Sequence, residues 1–140
     1  YLHNASTAKK FKTRTTANAG LIAPEPFALM CEPGDWTRDE LFEEIKDGLW
    51  LTNTWYTRYQ SYVTGDFSTI PRDGIFRIKK GEIVEAWKDV RLTDNLINVW
   101  KSMKGITKKA EQVTWWGEVA VPTFAPYALA SKIGITRSAM

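Results

Sequence analysis

The sequence predicts an α+β fold, mostly antiparallel β-sheet with two or three short helices. Three observations carry this. Runs rich in Val, Ile, Thr, Tyr and Trp dominate from Leu49 onward, the composition that a pleated, half-buried surface selects. Apolar residues at helical spacing occur only in short stretches, chiefly around residues 37–47 and 94–103. Helices and strands do not alternate as βαβ units, so a purely parallel sheet is not expected. The 140 residues, 44% hydrophobic and 25% charged, suffice for one domain with a core of its own.

The elements follow in chain order. NASTAKKFK (4–12) is a short helix capped by Asn4 or Ser6, and the small, polar TRTTANAG after it is a loop. Pro24 and Pro26 hold the chain extended, and FALMCE (27–32) is a compact apolar strand ended by Pro33-Gly34. Thr37 and Glu40 have capping-box spacing, Trp36 and Leu41 hydrophobic-staple spacing, and Leu41, Phe42 and Ile45 form one apolar face before a stop at Gly48. Residues 49–63 read as one long strand, reversed by Thr64-Gly65-Asp66. Strands 74–79 and 82–88 alternate about Lys80-Gly81, a hairpin turn in which Gly supplies the positive φ. Val90-Arg91-Leu92 is a further strand. Asp94 caps a helix bearing Leu96, Ile97, Val99, Trp100 and Met103, which Gly105 stops. KKAEQ is a solvated linker, and VTWWGEVAVP and ALASKIGITR are two last strands separated by a loop, Pro122 to Pro126.

Composition excludes several functions. No apolar run approaches the ~20 residues that span a bilayer, and Tyr1-Leu2-His3-Asn4 opens no signal peptide, so no membrane partner is expected. The missing initiator Met suggests that upstream residues are absent. A single cysteine, Cys31, fits a reducing cytoplasm, and its apolar strand suggests a buried, inert thiol. One His, His3, and one Cys do not supply the three protein ligands a zinc site needs, so no metal site is expected in this chain. No phosphate loop, GxSxG elbow or Cys–His pair can be assembled, and no catalytic residue is assigned. The carboxylate pairs Asp39 with Glu43 and Glu40 with Glu44 lie on a solvated helix face, while Asp66 and Asp73 flank a turn. A net charge of +3 makes nucleic acid an unlikely partner, although Lys9, Lys10, Lys12 and Arg14 cluster.

The ordered stretches EPGDWTRDELFEEIKDGLWLTNTW, VTGDFS, FRIKKGEIVEAWKDVRLTDNL and VPTFAPYAL resemble the C-terminal region of the TldD/PmbA family, once called modulators of DNA gyrase. YLHNASTAKKFKTRTTANAG is similar to the segment upstream of it, so the resemblance covers almost all of residues 1–140, as the C-terminal domain of a parent chain of several hundred residues. The motif positions Gly34, Asp35, Gly65, Asp66, Gly81 and Asn95 would be structural. The resemblance implies a cytoplasmic, metal-dependent peptidase system of TldD and TldE (PmbA) subunits acting on peptides or unfolded proteins. Its catalytic member carries a His-Glu-x-x-x-His helix upstream and a zinc-binding Cys in a Gly-x-Cys-Gly stretch. Here Val113-Thr114-Trp115-Trp116-Gly117-Glu118 stands where that Cys would fall, and Cys31 lies in the wrong segment. The resemblance is therefore closer to the TldE-type partner, in the short QVTWWGEV form of archaeal members. No cofactor is expected in this chain, with zinc only in a catalytic TldD-like partner. The implied partners are a TldD-like subunit or a second copy in a dimer, and a peptide.

The long strand bears the candidate binding residues. Asn53, Trp55 and Tyr59 fall on one pleat face and Tyr56, Arg58 and Tyr62 on the other, so one face is expected to be buried and the other to meet a peptide or a partner subunit. Two other readings remain open. A nucleic-acid module would take phosphates on Lys9 to Arg14 and stack bases on Trp or Tyr. A carbohydrate module would use Trp55 and Tyr59 as a flat platform.

Overall fold

The computed structural model describes residues 3–20, 25, 27–113 and 121–137. Along the chain run α1 (Ala5–Phe11), β1 (Leu29–Met30), α2 (Arg38–Glu44), β2 (Asp47–Leu51), β3 (Thr54–Ser61), β4 (Asp66–Pro71), β5 (Ile75–Lys79), β6 (Glu82–Ala86), β7 (Val90–Asn95), α3 (Leu96–Lys101), β8 (Met103–Val113), β9 (Thr123–Ala130) and β10 (Ile135–Arg137). Among the described residues, β2–β5, β5–β6, β3–β4, β4–β7 and β7–β10 pair antiparallel, while β1 pairs with β9, and Trp36 with Thr107, in parallel. Contacts group the chain into two compact units, Tyr1–Cys31 with Glu111–Ala125, and Glu32–Ala110 with Pro126–Met140.

In the first unit, the Asn4 side chain accepts from the Thr7 backbone N–H and caps α1, whose C-cap Lys12 adopts the left-handed conformation. The expected strand over 27–32 shrinks to β1, which pairs in parallel with Thr123 and Phe124. Phe27, Leu29 and Met30 are exposed, and so is the Cys31 thiol, expected to be buried. An apolar run states what its side chains prefer to leave, not which surface covers them, and a two-residue pairing covers little.

Two sheets lie wholly within the second unit, ordered β10-β7-β4-β3 and β2-β5-β6, and a third is ordered β1-β9-β8. The core of the second unit is small: Ile78, Val90, Leu41 and Ile75 are buried, together with the polar Ser68, Thr69 and Thr107. The buried hydroxyls are satisfied by one another and by their neighbours. Thr57 and Thr69 share a 2.9 Å hydrogen bond across β3 and β4, and Ser68 accepts from Arg91 Nη1 at 2.8 Å.

The capping box of α2 is present as read: Thr37 accepts from the Glu40 N–H, and the Glu40 carboxylate accepts from Thr37. The helix nevertheless ends at Glu44, before the expected stop. Ile45 turns extended as C-cap, and Gly48 lies inside β2, paired with Ile78. Sheet pairing with β5 claims the chain as soon as the helix has completed its two turns. The second half repeats the pattern. Asn95, not Asp94, caps α3, which closes at Lys101, and Met103, Gly105 and the presumed linker KKAEQ belong to β8. Likewise Thr123 to Pro126 are strand, within β9. In each place the ladder supplied by a distant partner outweighs the local preference of the segment.

The hairpin of β5 and β6 turns at Lys80 (φ 49°) and Gly81 (φ 82°), as the sequence predicts. A side chain on Gly81 would face the Glu43 Cα at 3.3 Å. Gly81→Val should therefore cost about 2 kcal/mol, since a β-branched residue is both strained at that φ and crowded by α2. Urea denaturation followed by tryptophan fluorescence reads this, and a loss below about 0.5 kcal/mol would show that the turn is not under that constraint.

Candidate functional site

The expected single strand over 49–63 is two strands in two sheets. β2 ends at Leu51, and the chain runs on without reversing into β3, the Thr52 hydroxyl accepting from the Gly74 N–H at 2.8 Å and Asn53 donating to the Asp73 carboxylate across the junction where pairing with β5 passes into pairing with β4. Trp50 belongs to a half-buried cluster with Phe42 and Phe76, at centroid distances of 5.4 and 5.3 Å. β3 is the outermost strand of its sheet among the described residues. It buries neither face: only Trp55 and Ser61 are half-buried, the rest exposed.

The pleat alternation breaks at Tyr56, which takes φ 53° inside the strand. Trp55 lies opposite Ile70 and Arg58 opposite Ser68, so three steps on β3 match two on β4. That bulge shifts Arg58 and Tyr59 by one position, and the register shifts again between Tyr59 and Ser61. As a result Tyr56 stacks on its neighbour Trp55, with centroids 4.6 Å apart and planes 4° from parallel. The Arg72 guanidinium lies 5.0 Å from the Trp55 centroid and 5.4 Å from that of Tyr56, and Arg58 lies 5.8 Å from Tyr56. Tyr59 stacks on Tyr62 at 5.2 Å and leans on Phe67 at 6.4 Å. Tyr62 stands in the turn, 86% exposed.

The structure therefore brings Trp55, Tyr56 and Arg58 together, adds Tyr59 with Tyr62 as a second stack, and sets Asn53 at the junction of β2 and β3. Trp55 and Tyr59 do not form one platform, because the bulge pairs each ring with a different partner. Arg72 was missed by sequence reasoning. Folding the hairpin back about Thr64-Gly65-Asp66 sets Pro71 opposite Thr54, and so would have placed Arg72 beside Trp55.

The same hairpin is anchored at its turn by the TGD and TDN stretches. Asn95 Nδ2 donates to the Thr64 carbonyl at 2.6 Å and to Asp66 Oδ1 at 2.8 Å, while its Oδ1 accepts from the Ile97 and Asn98 N–H groups. Asp94 accepts from Asn98 Nδ2 at 2.8 Å and from the Gly134 and Asn95 N–H groups, each at 2.7 Å. Gly65 (φ 79°) closes the turn and its carbonyl accepts from the Leu96 N–H. Gly65, Asp66 and Asn95 thus act together, whereas Gly34, Asp35 and Gly81 lie elsewhere in the unit.

These hydrogen bonds hold both carboxyls below the ordinary aspartate value of 3.8: Asn95 and then Thr64 lower Asp66, while Asn98, Gly134 and Asn95 lower Asp94. A depressed folded value means that the stabilisation is present above 3.8 and is lost as pH falls through the folded values. The melting temperature should fall along that acid limb, and Asp94→Asn should lower it at neutral pH yet flatten the limb. An unchanged limb in Asp94→Asn would remove Asp94 from this account.

Residues 1–137 match the family described as the PmbA/TldA metallopeptidase C-terminal domain. The chain belongs to the PmbA/TldD family. It is 33% identical over 112 residues to a metalloprotease of Methanothermobacter thermautotrophicus, covering 75% of this chain and 24% of that protein. It is 28% identical over 120 residues to the metalloprotease MJ0996 of Methanocaldococcus jannaschii, covering 79% and 25%. The chain thus spans about a quarter of the length of these relatives. Its fold is that of a Thermotoga maritima protein proposed to modulate DNA gyrase, with TM-score 0.77, 23% identity and coverage of 97% of this chain and 30% of that one. It is also that of TldE from Thermococcus kodakarensis, with TM-score 0.73, 14% identity and coverage of 96% and 30%.

A PmbA/TldD metallopeptidase implies a metal ion, and the described residues offer no cluster that fits one. Among the described residues no three His, Cys, Asp or Glu side chains converge. The acids Asp35, Glu40, Glu43 and Glu44 line only a shallow depression beside Trp36. Residues 114–118, where the family's cysteine would fall, lie outside the described residues. Among the described residues no helix is long and apolar enough to cross a membrane.

Proposed function

We propose that this chain is the C-terminal domain of a TldE/PmbA-type subunit, the partner that holds no catalytic metal in this domain, in a cytoplasmic peptidase assembled with a TldD-like subunit. One observation carries the reading: a metallopeptidase-family fold is built here from a chain with one His and one Cys, whose described residues form no metal-binding cluster. In this reading β3 serves the assembly as a contact surface. Its exposed Tyr56, Tyr59 and Tyr62, with Arg58, are the residue types that interface centres favour, and its outer edge can add a strand from an extended peptide or from the other subunit.

The test is to purify the parent protein with and without a TldD-like subunit and to measure zinc and peptide cleavage. Alone, it should cleave nothing, and His3→Ala and Cys31→Ala should leave its zinc content unchanged. With the second subunit, cleavage should appear, and Tyr56→Ala combined with Arg58→Ala should reduce assembly or cleavage about tenfold without lowering the melting temperature. Zinc at about one per chain that is lost in Cys31→Ala would overturn the reading.

A further inference from the structure

Among the described residues, neither Arg58 nor Arg72 forms an ion pair. Both are exposed, whereas Arg77 of β5 pairs with Asp47 and Glu85. The nearby acids of this hairpin are engaged: Asp73 accepts from Asn53, and Asp66 accepts from Asn95 and Thr64. Each guanidinium instead lies against an aromatic ring, Arg72 against Trp55 and Tyr56 and Arg58 against Tyr56. A ring contact of this kind satisfies a guanidinium's face and leaves its N–H edge turned outward, with less side-chain freedom to lose on binding. Two like charges beside one ring favour an anion between or beyond them, and a planar carboxylate matches the guanidinium fork. The backbone at this place is the outer edge of β3, which offers main-chain donors and acceptors to an extended segment.

We propose that the edge of β3, with Arg58 and Arg72, binds an extended peptide substrate and selects it by its Asp or Glu side chains. The inference rests on the reading of the chain as a peptidase component and adds to it a preference in the substrate. Trp55 and Tyr56 hold the two guanidinia in place, and the bulge at Tyr56 turns its ring toward both of them. A single-stranded nucleic acid would also find rings and cations here, but it would make no use of a strand edge.

The experiment uses the full-length protein with its second subunit, metal-depleted so that peptides survive. Three fluorescein-labelled decapeptides differ only in carrying Glu, Gln or Lys at two positions, and anisotropy gives their affinities. The Glu peptide should bind about fivefold more tightly than the Gln peptide and the Lys peptide most weakly, with the advantage shrinking as salt rises. Arg58→Gln with Arg72→Gln should abolish the preference at an unchanged melting temperature. Arg58→Lys with Arg72→Lys, which keeps the charge but not the fork, should retain part of it. Equal binding of the Glu and Gln peptides, a preference that survives the double Gln variant, no binding of any peptide, or tighter binding of a single-stranded oligonucleotide would each overturn the proposal. Cleavage by the metal-loaded assembly, measured in parallel, separates the two readings: efficient cleavage without charge preference sinks the selection alone.

Discussion

Gly34→Ala should destabilise the protein by about 3 kcal/mol. Residues 34–36 run along β8: the Gly34 N–H donates to the Thr107 carbonyl at 3.1 Å, the Trp36 N–H to that of Ile106 at 3.2 Å, and Lys108 returns a bond to the Trp36 carbonyl at 2.8 Å. A Cβ on Gly34 would meet the Ile106 carbonyl oxygen at 2.4 Å, a contact with backbone that no rotamer relieves. Separating the strands would also lift Trp36 from Gly105, where the indole fits because a Cβ there would lie 2.9 Å from it. Gly48→Ala is the control. Its Cβ would meet only the Ile45 Cγ2 methyl at 2.9 Å, a side chain that can move, and it should cost under about 1 kcal/mol. Urea denaturation of both variants decides the matter, and equal losses would show that the close approach at Gly34 is not the cause.

Asn95→Ala should cost about 2–3 kcal/mol, because one side chain performs two tasks. Its oxygen caps α3 and its nitrogen ties the Thr64 carbonyl and Asp66 to that helix. Asn95→Asp divides the tasks. It keeps a capping oxygen but sets a carboxylate against Asp66, so it should be markedly less stable than the parent at pH 7 and recover relative to it in acid. Thermal melts across pH provide the reading. If Asn95→Asp matches the parent at neutral pH, the nitrogen contributes nothing and the turn is held by Gly65 and Leu96 alone.

Local chemistry was legible in the sequence. The capping box at Thr37 and Glu40, the Asn4 cap and the Lys80-Gly81 turn are decided within a few residues, because the groups that satisfy each backbone donor lie next to it. The α+β class and the family follow from the same kind of evidence, ordered patterns read along the chain. What escaped was any boundary set by a distant strand. Nothing near Gly48 announces that β5 will take up Asp47–Leu51, nor near KKAEQ that it will be strand.

The candidate surface divides in the same way. Its residues were visible as types, Trp, Tyr and Arg crowded into one stretch, and Tyr56, Tyr59 and Tyr62 are exposed. Their arrangement was not visible, because period-two alternation assumes an unbroken ladder. The positive φ at Tyr56 breaks it, regrouping the rings into two stacks and bringing in Arg72 from across the hairpin. The sequence by itself determined the fold class, the caps, the tight turns and the scarcity of metal ligands, all properties of residue type and near neighbours. The tertiary structure alone decided where strands begin and end, which face of β3 each ring takes and which cations stand beside it, because register is fixed by pairing between segments far apart in the chain.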